Sequence, residues 1–427
     1  MDGLVYSDEM RKRKLLQINP VLRPSTSTGR IMQEIGDLVQ ENGWESYLAY
    51  SKGRDGLRIS TSQIVPVGDM WSVAWHGVMT RLFDRHGLAS QKATERFIQR
   101  IREIAPDVIH IHNIHGYFLN YPMLFDFLSK SNIPVVWTVH DCWLYTGHCY
   151  HYDYAGCDKW QSGCGSCPQK GKFPASWFYD RSARNWLDKR KAFTSIPRNR
   201  LLFAPVSKWL KSEMEKSFLK DYECRVVHNG IDTHVFAPSE DTDRVKKQFG
   251  LVGKHIILGV ASIWSEEKGL KDFCKLSSLL SEDKVIVLVG VTKKQKSFLN
   301  DKMIGIERTE NISQMAQLYA AADVFVNPTW QDNFPTVNME AISCGTPVIT
   351  YRTGGSVEVI TEKTGVIVEQ GDVKQLAQEI NKIVLLGKTY FQGSCREYAI
   401  NNFSKESKYK FYLKIYEEML ARNHEKI

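Results

Sequence analysis

Two carboxylates bracket a turn in the stretch QDNFPTVNMEAISCGTPVI, which runs from Gln331 to Ile349. Asp332 and Glu340 lie eight positions apart, with Pro335 between them and Gly345 and Pro347 beyond. TVNMEAISCG reads as a helix, with Thr336 near its start and Gly345 as a left-handed stop. The open N-terminus of a helix presents unpaired N–H groups and a partial positive charge, which suits phosphate. Glu340 falls one turn in from Thr336, on the same face. Asp332 falls in the turn just before. A diphosphate at the helix start would have a carboxylate on either flank, and carboxylates accept hydrogen bonds from sugar hydroxyls. A nucleotide-sugar fits this pattern, with phosphates on the N–H groups, ribose on one acid and hexose on the other. The plainer alternative is surface charge beside an ordinary helix cap.

A second constellation is made of thiols. The chain has nine cysteines, five of them between Cys142 and Cys167. The last four, Cys149, Cys157, Cys164 and Cys167, are spaced C-x7-C-x6-C-x2-C. The closing pair suits tetrahedral zinc, and a small loop-rich segment needs such a staple. His148 and His151 are alternative ligands, and Cys142 is a spare. Four thiolates also suit an iron–sulfur cluster. Reduced thiols without metal are the remaining reading. A structural disulfide scaffold is not expected without a secretion signal.

The elements that must position these groups belong to an ordinary globular chain of 427 residues, 43% hydrophobic and 24% charged, for which two or three domains are expected. The net charge of +8 favours acidic partners: phosphates, nucleic acid or an anionic membrane surface. No concentrated Lys/Arg stripe with a reading motif supports nucleic acid. The start RKRKLLQIN carries the charge of a signal n-region, but its apolar stretch is too short. No apolar run reaches the roughly 18 residues of a membrane span. A cytoplasmic location is expected, with any membrane contact peripheral, at the inner face.

Strand-like runs alternate with helix-like segments. KLLQIN is followed by the Ser25–Gly29 loop and by RIMQEIGDLVQENG, in which Ile31, Ile35, Leu38 and Val39 recur at helical spacing. SYLAYS, DVIHIHN, PVVWTVHD, LLFAPVS and RVVHNG follow as strands. After a polar joint come HIILGVAS, KVIVLVG, MIGIER, DVFVNP, PVITY and GVIVEQ. This alternation predicts an α/β protein of two doubly wound, Rossmann-like domains. Such sheets bind ligands at the C-terminal ends of their strands, so two facing halves would enclose a cleft. Asp241–Asp243 (DTD) reads as a helix start. The predicted domains are 1–240, carrying a Cys- and aromatic-rich insert at 142–186, then 241–403. A terminal helix at 404–427 is expected to pack back on the N-terminal domain.

The motif D-N-F-P-x-x-x-M-E-A-x-x-C-G-T-P-V-I resembles the acid-x7-acid motif of the retaining glycosyltransferases of family 4, which have the GT-B fold. PDVIHIHN, TVHD, APVSKWL, VVHNGIDTHVF, EEKGLKDF, TGGSVEVI and TGVIVEQGD follow the family's order over nearly the whole chain. The resemblance implies that Glu340 holds the nucleotide ribose. Asp332 stands where the family usually has Glu at the donor sugar. Backbone N–H groups around Asn333, Phe334, Thr336 and Val337 would meet sugar and phosphate, whereas Pro335 has no N–H. Lys268 resembles the lysine on the diphosphate. Many relatives carry an Arg six positions earlier, where this chain has Ser262. His140 stands where the family places a cleft histidine near the transferred sugar, and Gly29 where it places a glycine beside the phosphate or acceptor. His110 and His112 are assigned to structure.

The function expected from the resemblance is transfer of a sugar from a nucleotide-sugar to a saccharide acceptor, lipid-linked, with retention, in capsule or exopolysaccharide synthesis. No metal is implied for catalysis. The insert resembles one in a bacterial subset of these enzymes. Its rings, among them Trp143, Tyr145, Tyr152, Trp160, Trp177, Phe178 and Trp186, form either an acceptor wall or the insert's own core. The alternatives are a phosphorylase or epimerase of the same fold, or a non-catalytic nucleotide-sugar-binding scaffold.

Overall fold

The computed structural model describes residues 11–23, 26–53, 61–239 and 241–424; Ser25, expected above in a loop, lies outside them. The chain divides into two compact units. One runs through Val227 and takes back the chain from Tyr409; the other is His228–Lys408.

The first unit is built on seven strands: β1 (Lys14–Ile18), β2 (Glu45–Tyr50), β3 (Gln63–Pro66), β4 (Val108–Ile111), β5 (Val135–Val139), β6 (Leu201–Pro205) and β7 (Glu223–Cys224). Their order is β3-β2-β1-β4-β5-β6-β7, and every pairing is parallel. β4, β5 and β6 are buried end to end, all five residues of VVWTV in β5 included. That continuous apolarity is what a parallel sheet covered on both faces requires. The helix Ser27–Glu41 supplies one cover through Ile31, Ile35 and Val39. The helix Lys405–His424 supplies more: Tyr409, Tyr412, Ile415, Tyr416 and Met419 join the same core as Leu15, Val108 and Val136.

The second unit has six strands: β8 (His255–Val260), β9 (Lys284–Val289), β10 (Met303–Ile306), β11 (Val324–Asn327), β12 (Val348–Tyr351) and β13 (Gly365–Val368). They run parallel in the order β10-β9-β8-β11-β12-β13. Both sheets are the doubly wound Rossmann-like type that the alternation predicts.

Three local readings differ from expectation. β3 has no counterpart in the sequence reading; it is only four residues and ends in proline, an edge-strand signature. RVVHNG is not a strand. Regular pairing stops at Cys224, although the N–H groups of Arg225 and Val227 still donate to the carbonyls of Phe203 and Pro205, each at 3.0 Å. Residues 228–239, read as part of the N-terminal domain, pack with the second unit. There the Phe236 carbonyl accepts from Ser343 Oγ at 2.6 Å and from Arg396 at 2.8 Å. Asp241 begins a helix, Thr242–Gln248, as expected. Among the described residues no helix is long and apolar enough to cross a membrane.

A polar chain locks the terminal helix to the sheet. Thr138 Oγ1 donates to the Tyr412 hydroxyl at 2.8 Å. It therefore accepts from His110 Nε2–H at 2.7 Å, and His110 Nδ1 accepts from the Tyr416 hydroxyl at 2.6 Å. Tyr416→Phe leaves a buried imidazole nitrogen without its donor. The expected cost is about 1–3 kcal/mol in urea unfolding, with unchanged far-ultraviolet circular dichroism.

Candidate functional site

The second unit's groups collect at the C-terminal ends of β8 and β11. β11 ends at Asn327, and the loop that follows is tied down residue by residue. Trp330 N–H donates to the Glu267 carbonyl at 2.8 Å and its indole N–H to Asp272 at 2.8 Å. Thr353 Oγ1 donates to the Thr329 carbonyl at 2.9 Å, and Gly355 N–H to the Asp332 carbonyl at 3.2 Å. Across from it, Gly269 adopts φ 79°, and a Cβ there would stand 2.2 Å from the Pro328 carbonyl oxygen. Only glycine lets these two turns touch.

That contact sets Lys268 beside Asp332. The ammonium donates to Asp332 Oδ2 at 2.7 Å and reaches the Gln331 carbonyl at 3.5 Å. The two expected site residues are thus brought together as an ion pair, partly open to solvent.

The helix Thr336–Ser343 starts where expected and ends before Gly345, which has φ 75°. Pro335 is its N-cap and no side chain caps its first turn. Thr336 and Val337 are half-buried at its start, while Asn333 and Phe334 are buried beneath the turn. Phe334 stacks on His228 with ring centroids 4.6 Å apart. Glu340 is buried, and the Tyr319 hydroxyl donates to its Oε2 at 3.1 Å. Ser262 is exposed in the loop after β8. Sequence reasoning passed over Tyr319, which lies in no motif, and did not single out His228 within VVHNGIDTHVF; only the fold brings them to Glu340 and Phe334.

In the first unit Gly29 is not in a loop. The helix begins at Ser27, so Gly29 sits in its first turn. A Cβ there would lie 2.6 Å from the Arg23 carbonyl oxygen, which makes glycine a packing requirement. His140 follows β5 and belongs to a relay. Gln17 Nε2 donates to the Met32 carbonyl at 2.9 Å, which turns its Oε1 toward His112 Nε2–H at 3.0 Å. His112 Nδ1 then accepts from His140 Nε2–H at 3.3 Å, and the rings stack. Burial pushes the His140 imidazole down to about 4, so it is neutral near pH 7. Next to it Asp141 accepts from His115 Nε2 at 2.6 Å and from the Trp143 N–H at 2.9 Å. Burial opposes ionisation of Asp141, but His115 and these hydrogen bonds hold its carboxyl below the usual range. His115 is a further polar group that sequence reasoning did not single out.

The insert divides its rings. Trp143, Tyr145, Tyr152, Trp160 and Trp186 are buried; Tyr145, Tyr152 and Trp160 pack on one another, whereas Trp143 packs on Tyr121 and Phe193 and Trp186 on Phe218, outside the insert, and Trp177 and Phe178 are 61% and 69% exposed. Cys149, Cys157, Cys164 and Cys167 line one void of about 10 Å³. Among the described residues no three His, Cys, Asp or Glu side chains already form a metal-holding group. His148 lines the same void; its Nδ1 is paired with buried Asp84 at 2.8 Å, and its Nε2 lies 3.5 Å from the Lys172 carbonyl.

Two parallel α/β units, with a carboxylate pair and a lysine at the strand ends of the second, define a sugar-nucleotide transferase architecture. Residues 29–235 match Glycosyltransferase Family 4, and residues 254–385 match Glycosyl transferases group 1. Together these cover most of the chain, which belongs to the family-4-type glycosyltransferases with the GT-B fold. WcaC of Escherichia coli (strain K12), whose name places it in colanic acid biosynthesis as a glycosyl transferase, is 26% identical over 85% of this chain and 89% of its own. The N,N'-diacetylbacillosaminyl-diphospho-undecaprenol alpha-1,3-N-acetylgalactosaminyltransferase of Campylobacter jejuni is 27% identical over 38% of this chain and 45% of its own. The Anabaena HepE structure in complex with UDP shares the fold at TM-score 0.68 and 14% identity, over 95% of this chain and all of that one.

Two tests follow from this geometry. Gly269→Ala forces a left-handed alanine into the Pro328 carbonyl. It is expected to cost about 1–2 kcal/mol or more, read by denaturant midpoint. Burial also holds His110 and His112 well below the ordinary histidine value. The unfolded chain binds these protons near pH 6.5 and the native chain does not, so stability is full above that pH and falls below it. Each unit of acidification below about 6.5 is expected to cost about 1.4 kcal/mol per buried histidine, seen as a falling Tm between pH 7 and 5.

Proposed function

We propose that this glycosyltransferase moves a sugar from a nucleotide-sugar onto a lipid-linked saccharide, with retention of anomeric configuration, in bacterial surface polysaccharide assembly. The observation that carries the donor reading is the Lys268–Asp332 pair ahead of a helix start that no side chain caps, with buried Glu340 one turn in. Glu340 takes the ribose hydroxyls, oriented by Tyr319. Asp332 takes hydroxyls of the transferred sugar. Lys268 and the N–H groups at Thr336 and Val337 take the diphosphate. In the transfer, the bond from the anomeric carbon to the diphosphate oxygen breaks and a bond to the acceptor oxygen forms. The acceptor's proton passes to the departing diphosphate. Stabilising the charge on that leaving group is electrostatic preorganisation, and one such donor is worth about 10²–10³ in rate.

The acceptor reading is supported by the first unit's surface. The helix Met70–Phe83 turns Trp71 and Trp75 outward, 80% and 60% exposed, one turn apart on one face. They border a groove of about 760 Å³ whose other wall carries Arg85, Lys92, Arg96 and Arg100. Exposed tryptophans beside cations suit the interface of an anionic bilayer, rings at headgroup depth and cations on phosphates. A lipid diphosphate acceptor presents the same chemistry. The name of WcaC agrees with polysaccharide assembly, and that of the Campylobacter enzyme with a diphospho-undecaprenol acceptor.

Nucleotide release from UDP-, GDP- and other nucleotide-sugars, with a lipid diphosphate acceptor, tests the reading. One donor is expected to be turned over, with the product's anomeric configuration retained by NMR. Lys268→Ala and Asp332→Ala are expected to lower kcat about 10²–10³-fold without loss of fold. Phosphorolysis or epimerisation in place of transfer, or no donor binding at all, would overturn it. In co-sedimentation, the Trp71→Ala, Trp75→Ala double variant is expected to bind anionic vesicles at least about tenfold more weakly. Equal binding would remove the membrane part.

A further inference from the structure

Between β5 and the helix Ser182–Phe193 the chain has almost no regular structure, only two short 3-10 turns at Asp153–Ala155 and Lys159–Gln161. Yet four cysteines from separate points of this segment, Cys149, Cys157, Cys164 and Cys167, surround a single void of about 10 Å³. That is about the space of one small ion or water. We propose that these four thiols hold one zinc ion as a tetrathiolate, which staples the insert to the first unit.

The surroundings are those of a metal-bound sulfur. Gly147 N–H donates to Cys164 Sγ at 3.1 Å, and the Gln169 N–H bonds Cys167. Such N–H donors orient thiolate ligands and offset their charge. In the turn joining the last two ligands Ser166, a non-glycine, has φ 45°. Gly147 must lack a side chain, because a Cβ there would stand 2.7 Å from Cys164 Cβ and 2.1 Å from the Ser182 carbonyl oxygen. The chain is thus built to bring the residue 147 backbone onto this sulfur.

Lys189 is 1% exposed, and its ammonium donates to the carbonyls of Trp143 and Thr146 at 2.7 and 2.9 Å, which ties the helix Ser182–Phe193 to the start of the insert. Binding is balanced as Zn²⁺ plus four thiols giving the tetrathiolate and four protons. Zinc–sulfur bonds of about 2.3 Å to all four thiolates complete the site.

The test uses the full chain purified without chelator. Elemental analysis is expected to find one zinc per chain. A mercurial titrated into the wild-type protein is expected to release it in step with about four thiols, read with a zinc dye. Cobalt(II) exchanged into the site is expected to show the visible d–d bands of a tetrahedral tetrathiolate. Cys149→Ser and Cys164→Ser are expected to lower zinc content at least about tenfold, while Cys274→Ser, exposed in the second unit, keeps it. Zinc-free protein with these four thiols titrating freely would overturn the proposal. So would disulfides among them, or iron with sulfide in place of zinc. Wild-type metal release needs no variant to fold and no sugar transfer, so its failure is distinct from failure of the glycosyltransferase reading.

Discussion

A parallel sheet covered on both faces has no place for polar side chains along its strands, so its polar chemistry is driven to the strand ends. This constraint organises both units. In the second, β8 and β9 are apolar nearly throughout, and the first ionic group after β8 that pairs across the site is Lys268. β11 runs VFVN before Thr329 and Asp332 appear. In the first unit, β4 and β5 deliver His112, His140 and Asp141 at or just past their last residues. The residues able to do chemistry sit where the ladder ends and backbone N–H and C=O groups become available.

The exceptions inside the sheet are instructive. Gln17, His110, His112 and Thr138 are wholly buried polar side chains on β1, β4 and β5 or at their ends. None is left unpaired: His110 and Thr138 bond each other and finish on Tyr416 and Tyr412 of the terminal helix, while Gln17 bonds His112, which bonds His140. A buried polar network of this kind is tolerable only when complete. It fixes the register of the terminal helix more sharply than its tyrosines could by packing alone, because a slip of one turn would orphan His110. A second relay, Gln17 to His112 to His140, fixes the tautomer of His140. The two relays touch through the rings of His110 and His112, whose centroids lie 4.1 Å apart.

Much of this was legible in the amino-acid sequence because it follows from period and punctuation. The apolar runs of β4, β5, β8, β9 and β11 and the stripe Ile31, Ile35, Val39 need no tertiary knowledge. Gly345 announces the end of the helix after Thr336 in the same way. Edges and approaches were less legible. β3 is short and ends in proline, and RVVHNG is as β-prone as any strand but lies where the ladder has run out. Gly29 looked like loop glycine because nothing local says that Arg23 folds back over it. Trp71 and Trp75 have the spacing of a core stripe, and only the fold turns them to solvent. Tyr319 and His115 act through side chains distant in sequence, on Glu340 and Asp141, and such pairs have no one-dimensional signature.

The ion pair of Lys268 with Asp332 bears on how a single lysine could serve a diphosphate where Ser262 replaces a second cation. In the free protein Asp332 occupies the ammonium at 2.7 Å, so phosphate must compete with a carboxylate for it. On the proposed reading the donor resolves this itself. Sugar hydroxyls donate to Asp332 and satisfy it, and Lys268 is released toward the phosphates. The two halves of the donor then bind with positive coupling, since each makes the other's partner available. A nucleoside diphosphate without its sugar leaves Asp332 on Lys268 and gains less. Asp332 is also a methylene shorter than glutamate, which ties its reach closely to the Lys268 turn and hence to the contact of Gly269 with Pro328. On that reading, discrimination for the sugar and stabilisation of the leaving group meet in one exchangeable ion pair, held by one glycine.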